Sequence, residues 1–539
     1  MAVGSLRELE RSYFDVRWHL DPVEATQAGI TDHDDRYGRF SPAALRPHLA
    51  ALKSLSAGLE ETAAESTDDE IDRTALVNSV RVTLRQLERE RPQAANPDFW
   101  LSHLLSGLYV LLVRSERPPA DRGRALLARL EDIPAFLDDA RDALERPVRV
   151  FVETAIPVNE AGIELVREIP AVAAKWLPHE EERLAAAATA AVAALTAFGR
   201  DLDRWRDTEY QAFALGEDGF NFRLHYEHAL RDTAPELWRY GHHLVEELEA
   251  DLTRRAARLD GSRVWADVVE RLRTDHPTAD TLVAEYARQM ARARDFVAAR
   301  GLASIPEAPL EVVPTPAFMR PLIPFAAYDG PGAYSTDRTG LFYVTVPDAR
   351  LPADQREHLL RDHCRYELPA TALHEGYPGH HLHLVHARSQ ASHTRKNLWT
   401  PLTVEGWALY CEDMMGEEGF YASDEERFFQ RVDLLWRAMR ILLDVGLHTR
   451  GMTYEEAVGT FVDRLRVDRS TADAEVRRYC AWPSYQLCYA VGRRELLRLR
   501  DDFRARAGSD YTLRRFHDAI LPYGGLPVTL IRWGLGLGE

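Results

Sequence analysis

Apolar residues return every three or four positions through stretch after stretch of this 539-residue chain, and that period admits little but helix. Residues 5–19, 42–62, 69–91, 98–116, 121–146, 158–174, 178–206 and 235–258 all carry it. Asp or Ser often precedes a run, as a helix N-cap would, and proline often separates runs, as at Pro118-Pro119, Pro147 and Pro157. No repeat of fixed period interrupts the series. At 302–325 the sequence IPEAPLEVVPTPAFMRPLIP is too proline-rich for helix and marks the boundary between a helical region 1–310 and a region 311–539. Strand chemistry follows in TGLFYVTVP, Thr339 to Pro347, after the turn-forming YDGPGAY. The fold class is therefore mainly α, with one small antiparallel β element near residues 325–347, and the two regions form one continuous unit.

The charge balance narrows the partners. With 67 Lys+Arg against 85 Asp+Glu the net charge is −18, which disfavours nucleic acid or an anionic membrane. The four cysteines form no C-x-x-C pair and are too few for a disulfide framework. Neither a signal-like apolar segment nor a membrane-length run is present, so a cytoplasmic location is expected.

Function is concentrated in one segment. Eight of the 20 histidines lie between His358 and His393, where even spacing would place roughly one. The plain alternative is a solvated polar face. Within the segment, TALHEGYPGHHLH starts as an H-E-x-x-H zinc motif with His374 and Glu375, but Pro378 stands where the second histidine belongs. On a regular helix His380 would point roughly 240° away from His374, and His381 would share its face but lie about 10.5 Å further along. Proline 378 clashes with the carbonyl of His374, Tyr377 is pushed out of the α region, and Gly379 widens the backbone choice. A kink or bulge is expected that returns His380 to the metal, with His381 left open as the other choice of second ligand. A third ligand is needed, and Glu405 in TVEGWALYCED follows 25 residues after His380, room for a loop and a returning helix. Glu412, two turns on, could orient a ligand histidine.

Further positions carry chemistry. In WRAMRILLDVGLH, Arg437, Arg440, Asp444 and His448 form one polar stripe. Arg440 paired with Asp444 would line the site or hold a substrate carboxylate, and His448 would donate to a developing oxyanion; a solvated face or a structural Arg–Asp pair is the plain alternative. Tyr479, Tyr485 and Tyr489 follow, and Tyr489 is the preferred oxyanion donor, with Tyr485 beside the substrate. The strand holding Tyr343 could take an extended peptide along its edge, or could simply be a packed hairpin. No G-x-S-x-G or P-loop is present.

LPATALHEGYPGHH from Leu368 and EGWALY from Glu405 resemble the bacterial family called domain of unknown function 885. DPVEATQAGITDHD (Asp21 to Asp34), DVGLH (Asp444 to His448) and EVRRYCAWP (Glu475 to Pro483) resemble its other signatures. That family looks like a distant branch of zinc peptidases of the neurolysin and carboxypeptidase Taq type. The resemblance implies a large helical metallopeptidase-like body, its N-terminal region walling a deep cleft. It implies one zinc on His374, His380 and Glu405, with Glu375 as general base and His381 as a neighbour. The chain departs from the pattern after Pro483, where Ser484-Tyr485-Gln486 replaces Gly-Gln-Ala. The expected activity is zinc-dependent hydrolysis of short peptides. The alternatives are a small-molecule amide or C–N hydrolase in a biosynthetic pathway, and a non-catalytic metal-holding, peptide-binding protein. Manganese or iron would also suit two histidines and a glutamate. The oligomeric state is open, a homodimer included.

Overall fold

A computed structural model describes residues 5–113, 117–208, 213–316, 319–320, 323 and 325–538. The chain forms two compact units, Met1–Phe213 with Gly332–Asp337, and Ala214–Pro331 with Arg338–Glu539. It is 71% helical with a single three-stranded sheet among the described residues, so the mainly α class holds. The segment 302–325, read as a boundary, lies within the second unit.

Unit 1 is built from helices that the apolar period locates well, among them Leu6–Leu20, Pro42–Glu61, Thr67–Arg85, Pro97–Val113 and Pro119–Ala143. The start of the first is fixed by Ser5 and Glu8, which satisfy each other's backbone N–H groups. The end of the expected 98–116 run, residues 114–116, lies outside the described residues. Proline misleads at one point. Pro157 is not a separator but lies inside the helix Arg149–Ala173, whose buried face (Phe151, Ala155, Gly162, Val166) continues past it. Burial of that face outweighs the lost backbone hydrogen bond.

Unit 2 carries the histidine segment. Its sheet has β1 (Leu310–Pro314), β2 (Ala326–Asp329) and β3 (Gly340–Val344) in the order β1-β3-β2. The β2–β3 pair is antiparallel as expected, but β1 pairs parallel to β3, so the sheet is mixed. The prolines of the 302–325 segment concealed β1: Pro314 sits at its end, on an edge strand, where a missing N–H is tolerated. The buried Phe342 and Val344 of β3 pack with Tyr286, Met290, Leu368 and Ala372, which seats the sheet beside the first histidine helix. No helix among the described residues is long and apolar enough to cross a membrane.

Candidate metal centre

The segment from Leu368 to Arg388 is two helices, Leu368–Glu375 and His380–Arg388, rather than one. Gly376 to Gly379 join them, with a cis Tyr377–Pro378 bond. Gly379 is required for space, not for a left-handed backbone: its φ is −70°, but a Cβ there would lie 1.9 Å from the carbonyl oxygen of His374. The joint is tied down from outside, since Trp407 Nε1 donates to the Pro378 carbonyl at 2.8 Å. Trp407 belongs to the helix Pro401–Glu417, which also carries Glu405 and Glu412. That helix meets Cys488–Ala507 so closely that a Cβ on Gly406 would lie 2.6 Å from Gly492 Cα. The contact holds Glu405 near Tyr489.

The result is a convergence of buried donors. His374 and His380 face each other with ring centroids 4.7 Å apart. Glu405 Oε2 lies 3.8 Å from His374 Nε2 and 3.3 Å from His380 Nε2. Ligands held at about 2.1 Å around a tetrahedral ion stand about 3.4 Å apart, so this spacing suits one ion. Glu375 also reaches in, and one ligand atom each from His374, Glu375 and His380 lie within 4.8 Å of one another. The shorter contacts favour Glu405 as the third ligand and leave Glu375 beside the site. His374 Nδ1 donates to Glu412 Oε1 at 2.8 Å, which holds a proton on Nδ1 and aims Nε2 at Glu405. His380 lacks such a bond; its Nδ1 is buried without a partner. Burial opposes charge on His374, but hydrogen bonds to Glu405 and Glu412 overcome it and raise its pKa to about 10. Burial likewise opposes charge on Glu405, yet its hydrogen bonds to the two histidines hold it well below the usual carboxylate range. A divalent cation here would take the place of the proton between His374 Nε2 and Glu405, leaving an ionised carboxylate and two imidazoles at ligand spacing.

His381 points elsewhere. Its Nε2 donates to the Ala308 carbonyl at 3.2 Å, and its Nδ1 accepts from Tyr328 Oη at 3.0 Å. Burial pushes its pKa down to about 4, so it is a neutral packing residue. His383 and His386 are similarly spent on the carbonyls of Gly524 and Ser304. Much of the histidine cluster is thus structural.

The centre opens on a cavity of about 420 Å³, which Glu375, Arg440, Tyr485, Tyr489 and the β2 residues Ala326–Tyr328 also line. Tyr485 Oη donates to Glu405 Oε1 at 2.8 Å. Tyr489 lies under the Arg440 guanidinium, 4.7 Å from its ring centroid. Two expected site residues stay outside this lining. His448 is 1% exposed and its Nε2 donates to the Tyr479 carbonyl at 2.9 Å. Tyr343 is 4% exposed in β3, between Val313 and Ala327. β3 is the middle strand and has no free edge; the strand beside the cavity is β2. The expected Arg440–Asp444 pair is also replaced. Arg440 donates to Tyr479 Oη at 3.0 Å and Glu475 Oε2 at 2.9 Å, while Asp444 accepts the backbone N–H groups of Ser484 and Leu487. Sequence reasoning missed Asp433 and Trp399 at the cavity, and placed Arg437 on the polar stripe without giving it a role there. Arg437 had a signal, one turn before Arg440 on the same stripe; Trp399 had none.

A family model described as "Bacterial protein of unknown function (DUF885)" matches residues 22–534. The chain belongs to this family. Two solved structures share the fold over essentially their whole length. One, from Shewanella oneidensis and described as a candidate lipoprotein of unknown function, is 22% identical, with a TM-score of 0.79 over 99% of this chain and 100% of its own. The other, a candidate lipoprotein from Colwellia psychrerythraea, is 17% identical, with a TM-score of 0.84 over 99% of both chains. No curated protein matches the chain in sequence. The stretch after Pro483, where the chain was read as departing from the expected pattern, is locally tied down. Ser484 has φ 65°, held by its N–H to Asp444 and by its Oγ near His228 Nε2 at 3.0 Å. Tyr485 beside it supplies the bond to Glu405.

Proposed function

We propose that the protein is a metal-dependent amide hydrolase, most simply a zinc peptidase acting on short peptides. The observation that carries this reading is Glu375: a carboxylate beside His374, His380 and Glu405 that the ligand set does not require. The resemblance of the histidine and glutamate motifs to zinc peptidases of the neurolysin and carboxypeptidase Taq type supports it. His374, His380 and Glu405 would hold the ion, with Glu412 fixing the tautomer of His374 and Tyr485 steadying Glu405. A zinc ion there would supply Lewis acidity, polarising the scissile carbonyl and making a water acidic enough to ionise near neutral pH. Glu375 takes the proton of the attacking water and returns it to the leaving amine, so that amide and water give acid and amine. Tyr489, which lines the cavity, would donate to the developing oxyanion. The β2 edge can receive the backbone of an extended substrate.

The test is a panel of short peptides and N-acylated amino acids, offered to zinc-loaded and chelator-stripped protein. Cleavage that requires the metal is expected. Preference for acylated amino acids over peptides would move the assignment to a small-molecule amidase. No turnover of either class by the loaded protein would favour a non-catalytic metal-holding protein.

A further inference from the structure

Arg437 lines the same cavity as the metal ligands, and nothing in the proposed chemistry uses it. It shares a helix face with Asp433 and Arg440 on Asp424–Thr449. Arg440 is committed. It bonds Tyr479 and Glu475, covers the Tyr489 ring, and, with Arg478, holds the Glu475 carboxyl down to about 2 against the effect of burial, so the ion pair persists. Among the described residues, Arg437 hydrogen-bonds Asp433 alone, with the Glu412 carboxylate also acting on its charge. Its Nη1 reaches the carbonyl of Asp433 at 3.2 Å and its carboxylate at 2.9 Å, one turn back on the same helix. Its Nε is buried with no hydrogen-bond partner. A guanidinium stays charged and presents its donors in a fixed fork, so an unused buried donor is a standing cost. A carboxylate is the group whose two oxygens match that fork.

We propose that Arg437 binds a carboxylate of the substrate, and that the cavity takes small amides with a free carboxylate near the scissile bond, as in dipeptides and N-acyl amino acids. The hydrolytic part of this statement rests on the proposed function; the carboxylate site does not. The volume of about 420 Å³ lies in the range of small-molecule sites. One rim of the cavity is apolar: Trp399, 57% exposed, stands with Leu384 and Val404. An apolar side chain on the substrate would cover it.

The probes are N-acetyl-L-phenylalanine and its amide, titrated calorimetrically into zinc-loaded protein. The acid is expected to bind at least tenfold more tightly than the amide. Arg437→Gln should erase that preference at unchanged metal content, and Arg437→Lys, which keeps the charge without the fork, should retain part of it. Equal binding of acid and amide by the wild type would overturn the proposal. So would a preference that survives Arg437→Gln, since the carboxylate would then sit on the metal or elsewhere. A parallel assay follows cleavage of leucyl-phenylalanine and its C-terminal amide. An Arg437-dependent preference in binding with no cleavage of either would keep the carboxylate site and defeat the hydrolase reading alone.

Discussion

The two halves of the helix Asp424–Thr449 look alike in sequence and do different work. Arg437, Arg440, Asp444 and His448 fall on one stripe. The earlier pair reaches the cavity beside His374 and His380, while the later pair is buried: Asp444 holds the turn at Ser484–Leu487 and His448 bonds the Tyr479 carbonyl. The two adjacent histidines His380 and His381 divide the same way, one toward Glu405 and the other toward Ala308 and Tyr328. In each case the covering elements decide function: a polar group that backbone carbonyls or N–H groups have satisfied is unavailable for chemistry.

Substitutions on the two sides should therefore separate catalysis from stability. The largest effect is expected on the cavity side. Glu375→Gln should lower turnover about a thousandfold, in the range set by general-base catalysis, and leave metal content and unfolding temperature almost unchanged. Loss of the metal with that substitution would instead make Glu375 a ligand.

The buried side should respond through pH. Burial raises the Asp444 pKa to about 7, far above its ordinary value, despite the backbone N–H groups it accepts. The folded state therefore holds this proton more tightly than the unfolded chain. Its contribution to stability is full below about pH 4 and is lost as pH rises through about 7, a change of up to about 4 kcal/mol. Asp444→Asn removes the titration. The denaturant midpoint of the wild type should fall relative to that of Asp444→Asn as pH rises from 5 to 8, with metal content equal throughout. A constant difference would show that Asp444 titrates normally.

A smaller effect is expected at the joint between the two histidine helices. Trp407→Phe removes the donor to the Pro378 carbonyl and should cost about 1 kcal/mol of stability. Zinc affinity should fall with it, because the same joint sets the angle between His374 and His380. Unchanged zinc affinity would mean that the joint holds its shape without this bond.

Much of the centre was legible because its parts are local. His374, Glu375 and His380 lie within one short segment, and Tyr-Pro-Gly supplies the break that brings them together. Glu405 and Glu412 follow at helical spacing on a single helix. What was not legible depends on elements distant in sequence. Tyr343 has strand chemistry, but its exclusion follows from β1, which lies thirty residues away in register and was hidden among prolines. Pro157 reads as a break until the packing of its helix is seen. His448 and Arg437 occupy equivalent stripe positions, and packing from elements distant in sequence tells them apart: the Phe220 ring and the Tyr479 carbonyl cover His448.

In the proposed site a broken helix would deliver His374 and His380, not His381, to one ion with Glu405. The decisive measurement is the metal content of the purified wild type and of His380→Ala and His381→Ala, by mass spectrometry after zinc loading. One zinc per chain in the wild type, kept in His381→Ala and lost in His380→Ala, is the predicted result. Zinc lost with His381 and kept without His380, or no zinc in the wild type, would contradict it.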